Sequence, residues 1–158
     1  MRTSKSWLRC NHLLFNFKKA NMSVYENYEP DRKKVDSGMD AVVIRQYNGG
    51  ITGGRALDYT GFNDEVIKAG HLVVKKEVDG VYEYKPLAVE ASTGKYQAIP
   101  ADGTLPAGVV VRSRLKGEAV AIMDDGRVND AAMPYQFKDE DQRTAFKTAL
   151  PNLIFEHD

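Results

Sequence analysis

From residue 41 onward, short apolar runs alternate with clusters of Gly, Pro, Asn and Asp. Within most runs, apolar and polar side chains alternate with the period of two that a half-buried strand requires. "AVVIRQY" (41–47) predicts a first strand. "NGGITGG" (48–54) ends it, because Gly49, Gly50, Gly53 and Gly54 accept the positive φ of tight turns. "RALDYTGF" (55–62) predicts a short extended segment, and "NDEVIKAG" (63–70) a turn or a single helical turn capped by Asn63. "HLVVKKEV" (71–78) and "VYEYKPLAV" (81–89) flank Asp79-Gly80, the strongest short hairpin signal in the chain, with Gly80 in the turn.

After the turn-like "ASTGK" (91–95) and a short run "YQAIP" (96–100), the Gly and Pro of "ADGTLPAG" (101–108) predict a loop. "VVVRSRL" (109–115), a turn at Lys116-Gly117 and "EAVAIM" (118–123) predict a second hairpin, whose uniformly apolar start implies burial on both faces. "DDGRVNDAAMP" (124–134) reads as a turn and connector. One helix is expected, "DEDQRTAFKTAL" (139–150). Three acids stand in its first turn, Lys147 lies near its end, Pro151 follows it, and Ala145, Phe146, Ala149 and Leu150 form its apolar stripe. "NLIFE" (152–156) then returns to the sheet. Two phrases, "KAGHLVV" and "PAGVVV", place Ala-Gly before an apolar, β-branched run. They are not copies of each other, and Gly70 and Gly108 are expected as pivots where the backbone bends into a core strand and a Cβ would obstruct. Six to eight short strands with one helix predict a mainly β fold, a compact small β-barrel or sandwich with one C-terminal helix.

Residues 1–36 sustain neither period and predict an extended or disordered N-terminal arm, leaving 37–158 as the β-rich domain. "MSVYENYEP" from Met22 reads like a natural start, so the residues before it are either a translated leader or a basic arm. Charge separates the two regions. The 158 residues carry 22 basic and 22 acidic side chains, yet the stretch 1–25 holds Arg2, Lys5, Arg9, Lys18 and Lys19 and no acid. The remainder is mildly acidic, a poor footprint for a phosphate backbone, so nucleic acid is not an expected partner. An apolar content of 42% is that of a folded domain. Cys10 is the only cysteine, which rules out an intrachain disulfide and a cysteine-based zinc site. No run approaches the roughly 18 apolar residues of a membrane helix, and "HLLFNF" (12–17) is too short and polar for a signal-peptide core.

Motifs for chemistry are incomplete. "GGITGG" lacks the following helix of a dinucleotide loop and the Gly-Lys-Ser/Thr of a P-loop, so a glycine turn accounts for it. "DDGRVND" lacks the register of a calcium loop. His12, His71 and His157 have no metal-ligand spacing, and no serine sits in a nucleophile elbow. Lys95, in "STGKY", lacks the neighbours of a biotinyl or lipoyl lysine. No enzyme activity and no cofactor are expected. Tyr25, Tyr28, Tyr47, Tyr59, Tyr82, Tyr84, Tyr96 and Tyr135 could line a sugar-binding face, although tyrosines more often pack at core edges and interfaces.

In order, "GGRALDYTGFNDEVIKAGHLVVKK", "VYEYKPLAV", "KYQAIPADGTLPAGVVVRSRL", "AVAIMDDGRVNDAAMPY" and "FKTALPNLIFEHD" resemble the head-fibre proteins of tailed phages and prophages and, more loosely, lambda-type capsid decoration proteins. The resemblance covers 53–158, and order and spacing carry it. The shift of apolar residues in "LPNLIF" and the region before Gly49 depart from the pattern. The resemblance implies a non-enzymatic virion protein on the capsid exterior, made in the bacterial cytoplasm. Its implied partners are the major capsid protein and itself, commonly as a homotrimer. The alternative is a carbohydrate-binding or adhesive β module for host-surface or mucosal glycans. Neither reading involves a membrane.

Overall fold

The computed structural model describes residues 35–51 and 53–157, which belong to one compact unit. The expected arm, except Val35 and Asp36, lies outside the described residues, as do Cys10, His12, Tyr25 and Tyr28.

The described chain is mainly β. A helical turn, α1 (Asp40–Val43), leads into β1 (Ile44–Gly50), β2 (Val66–Ile67), β3 (Leu72–Val78), β4 (Val81–Pro86), β5 (Val89–Glu90), β6 (Lys95–Tyr96), β7 (Leu105–Val110), β8 (Arg114–Leu115) and β9 (Ile122–Asn129). A 3₁₀ turn (Asp130–Ala132), α2 (Glu140–Ala149) and β10 (Leu153–Glu156) complete the order. The main sheet runs β1-β9-β7-β3-β4, with β10 parallel to the far half of β9 and two small ribbons, β2-β8 and β5-β6, beside it. The sheets do not close into a barrel, so the architecture is sandwich-like.

Alternation along the strands divides the core in two. Leu72, Val74, Val109, Met123 and Val128 belong to one buried cluster with Phe146 of α2 and Leu153 and Phe155 of β10. Val73, Val110 and Ile122 belong to the other, with Leu57, Ile67 and Val120. Both sheet faces are therefore covered, which is why residues 109–110 are apolar without alternation.

The hairpin β3–β4 closes at Asp79 (φ 51°) and Gly80 (φ 79°), the paired left-handed residues of a type I′ turn. The two Ala-Gly phrases turn out to be antiparallel neighbours. Leu72 faces Val109, the Gly70 amide donates to the Val110 carbonyl, and the Val110 amide donates to that of His71.

Several expectations need correction. The strand expected over 41–47 begins as helix α1 because the Asp40 carboxylate accepts from both the amide (2.9 Å) and hydroxyl (2.6 Å) of Ser113, tethering the turn. Gly49 and Gly50 are not turn residues but the end of β1, where Gly50 lies so close to β9 that a Cβ would overlap the Ile122 carbonyl. Residues 55–62 form a loop with a single bridge, Arg55 to Val120, and Asn63 caps no helix because β2 follows. The predicted loop 101–108 already holds β7 from Leu105, so Gly108 lies inside a strand rather than before it. There it serves a bulge opposite Val73 and Val74 at φ +146°, with no room for a Cβ beside the Met123 carbonyl. Pairing of β7 with β9 is confined to Val109–Met123 and Val110–Ile122, after which the chain leaves to pair β8 with β2.

The expected connector 124–134 is strand as far as Asn129. Its first half is the continuation of β9, which binds β1 on one side and β10 on the other. Helix α2 begins one residue inside the expected span, because Asp139 is its N-cap, with a side chain that accepts from the Gln142 amide. It buries Phe146 and Gln142, whereas Ala145 and Ala149 are exposed.

Candidate binding cleft

Three loops converge at the edge of the larger core. The first is 58–64, where Asp58 accepts from the amide (2.9 Å) and hydroxyl (2.6 Å) of Thr60 and the Phe62 amide donates to the Tyr59 carbonyl. Lys85 of β4 clamps this turn through an ion pair with Asp58 at 2.6 Å, and the hydrogen bonds and the cation hold the Asp58 carboxyl well below the usual carboxylate range. The second is the β5–β6 ribbon with its turn at Gly94 (φ 65°), set against the domain by the Gln97 amide donating to Ala88 and the Tyr96 amide donating to Gln136. Gln142 of α2 fastens the same segment by donating to the Gln97 carbonyl at 2.6 Å. The third brings Tyr135, after the 3₁₀ turn, alongside.

Between them lies an open cleft of about 420 Å³. Phe62 and Tyr135 supply aromatic walls, and Asn63, Asp64, Glu90 and Gln97 supply polar groups. The Tyr135 hydroxyl donates to Asp64 at 2.7 Å; burial, then this carboxylate, push its pKa up to about 12. Glu90 accepts from the Thr93 hydroxyl at 2.8 Å. Among the described residues no Lys or Arg lines the cleft, and its two carboxylates make this lining negative.

His71 stands behind the aromatic walls. It is buried, and its ring meets Phe62, Tyr96 and Tyr135 edge-to-face at centroid separations of 5.5, 5.3 and 5.6 Å. Its Nε2–H donates to the Leu87 carbonyl at 3.1 Å, while Nδ1 has no hydrogen-bond partner among the described residues. Burial drives its pKa down to about 4, so the ring is neutral at physiological pH. Tyr96 is buried with its hydroxyl accepting from the Leu72 amide, and burial pushes its pKa far up.

None of the glycines singled out from the sequence lines this cleft. Gly53, Gly54, Gly80 and Gly117 lie in turns or loops at positive φ, and Gly70 (φ +78°) fits its backbone against Val43, where a Cβ would collide. Of the described tyrosines, only Tyr135 lines the cleft; Tyr96 is interior and Tyr47 and Tyr82 are exposed elsewhere. Phe62, Asp64, Glu90 and Gln97 were not anticipated because they come from separate loops with no shared spacing.

Among the described residues, no group of three or more His, Cys, Asp or Glu is placed to hold a metal ion, and no helix is long and apolar enough to cross a membrane. Comparison with known proteins finds no family model, no curated protein and no solved structure that matches this chain.

Proposed function

We propose that this chain is a structural virion protein that decorates the outer surface of a tailed-phage or prophage capsid, as a head fibre or decoration protein, without enzymatic activity. The ordered resemblance of residues 53–158 supports the reading, and one structural observation carries it. The β3–β4 hairpin ends in large exposed apolar side chains, Val81 (67% exposed), Tyr82 (47%) and Val78 (38%), with Leu105 (52%) on the adjoining strand. Val78 and Val81 pair across the strands on one face beside the turn, and Tyr82 and Leu105 lie on the other, so each face of this hairpin exposes apolar side chains of the kind that protein–protein contacts use. Lys75 lies over the Tyr82 ring at 5.1 Å and holds it in place. The proposed partners are the major capsid protein and further copies of the chain, as a homotrimer whose repetition on the lattice adds avidity.

The test is co-sedimentation with capsids built from the major capsid protein of the same genome, alongside light scattering of the free protein. The expected result is a saturable, fixed ratio to capsid subunits and a trimer, with either contact weakened by Val81→Lys. A monomer that stays in the supernatant refutes the proposal.

A further inference from the structure

We propose that the cleft between Phe62 and Tyr135 binds a single neutral sugar ring. The inference does not rest on capsid attachment.

Sugar rings present a face of C–H groups and a rim of hydroxyls, and a site for them needs an aromatic surface beside planar polar groups. Phe62 and Tyr135 provide the first and Asn63, Asp64, Glu90 and Gln97 the second, all lining one concavity. At about 420 Å³ the cleft lies within the range of small-ligand sites. Its acceptors are already oriented. Asp64 is fixed by the Tyr135 hydroxyl and Glu90 by Thr93, and each carboxylate has accepting capacity beyond the one bond. The amides of Asn63 and Gln97 supply both donors and acceptors.

Preorganisation favours the same conclusion. The aromatic walls are held from behind by the His71 ring, the Gln97 backbone by Gln142, and the 58–64 turn by Asp58 and Lys85. Less ordering then accompanies binding. Charge selects within the ligand class. With Asp64 and Glu90 in the wall and no cation lining it among the described residues, an acidic sugar meets repulsion, whereas neutral hydroxyls donate to those carboxylates.

The experiment is saturation-transfer difference NMR on the full chain. The probes are glucose, galactose, N-acetylglucosamine and N-acetylgalactosamine, with glucuronic acid as the acidic comparison. At least one neutral sugar is expected to receive saturation on its C–H face, and glucuronic acid none. Glu90 and Gln97 are exposed, so Glu90→Ala and Gln97→Ala preserve the amide spectrum and are each expected to weaken binding by about fivefold. Phe62→Ala removes a wall but also touches His71, so it is read only if its amide spectrum remains that of the folded protein. No transfer to any neutral sugar overturns the proposal. So does transfer unchanged in the Glu90→Ala/Gln97→Ala double variant, or glucuronic acid binding as well as the neutral sugars. Capsid co-sedimentation is a separate readout, so failure of one proposal leaves the other standing.

Discussion

Acidification is expected to weaken this domain through His71. In the folded chain the imidazole is buried among three aromatic rings with its pKa near 4, whereas its ordinary value is 6.5. Between these values the unfolded chain binds a proton that the folded chain refuses, so stability is full above pH 6.5 and falls until about pH 4. Below that both states are protonated and this group causes no further loss. At roughly 1.4 kcal/mol per unit of difference, the drop amounts to about 3 kcal/mol. The surrounding groups do not blur the window. The Asp64 carboxylate opposes the shift only in part, and the Tyr96 and Tyr135 hydroxyls stay neutral throughout. Asp58 and Asp102, both held below their ordinary 3.8, lose their contributions at lower pH. Urea unfolding across the window, compared between wild type and His71→Gln, measures the term, since the amide can still donate to Leu87 but does not titrate. The ring resonances of His71 in the wild type give an independent midpoint. Equal losses in the two proteins, or a midpoint near 6.5, would refute the reasoning.

Gly108→Ala combines φ +146° with a Cβ overlapping the Met123 carbonyl, and is expected to cost about 3 kcal/mol or more in denaturant unfolding. Gly80→Ala, at φ +79° in open space, is expected to cost only about 1 kcal/mol by the same measurement. Phe146→Ala empties the contact between α2 and the larger core and should lower stability by about 3–5 kcal/mol, read from the same curves. Asp139→Ala removes the bond to the Gln142 amide, and a loss of about 1 kcal/mol is expected in thermal melts.

The parts of this fold that were legible in the sequence are local ones. Asp79-Gly80 encodes its own turn, and Asp139 and Pro151 bracket α2 within one stretch of chain. What was hidden depends on distant partners. The segment "DDGRVN" is polar and glycine-containing, yet it is strand because β1 and β10 both pair with this part of β9. Gly49 and Gly50 looked like turn residues, but at Gly50 the missing Cβ serves close backbone approach rather than a bend. Gln142 is polar and outside the apolar stripe read from the sequence, yet it is buried because both ends of its amide are bonded, to the Lys138 amide and the Gln97 carbonyl. The cleft was illegible for the same reason, since its walls meet only after three loops have been folded together.

Two edge strands of the main sheet, β4 and β1, are poor templates for an added strand. On β4 the Tyr84 carbonyl is already taken by the Asp58 amide, and Pro86, at the strand's end, has no N–H to offer. On β1 the register slips three times, between Ile44 and Gln46, Tyr47 and Gly49, and Gly49 and Gly50, so the strand presents no regular ladder to an incoming one. Strand addition is thus obstructed at β1 and at β4, which limits strand-on-strand stacking through these two edges. A contact between copies through either of these edges would therefore have to be made by side chains, whose geometry can close a ring after a fixed number of subunits.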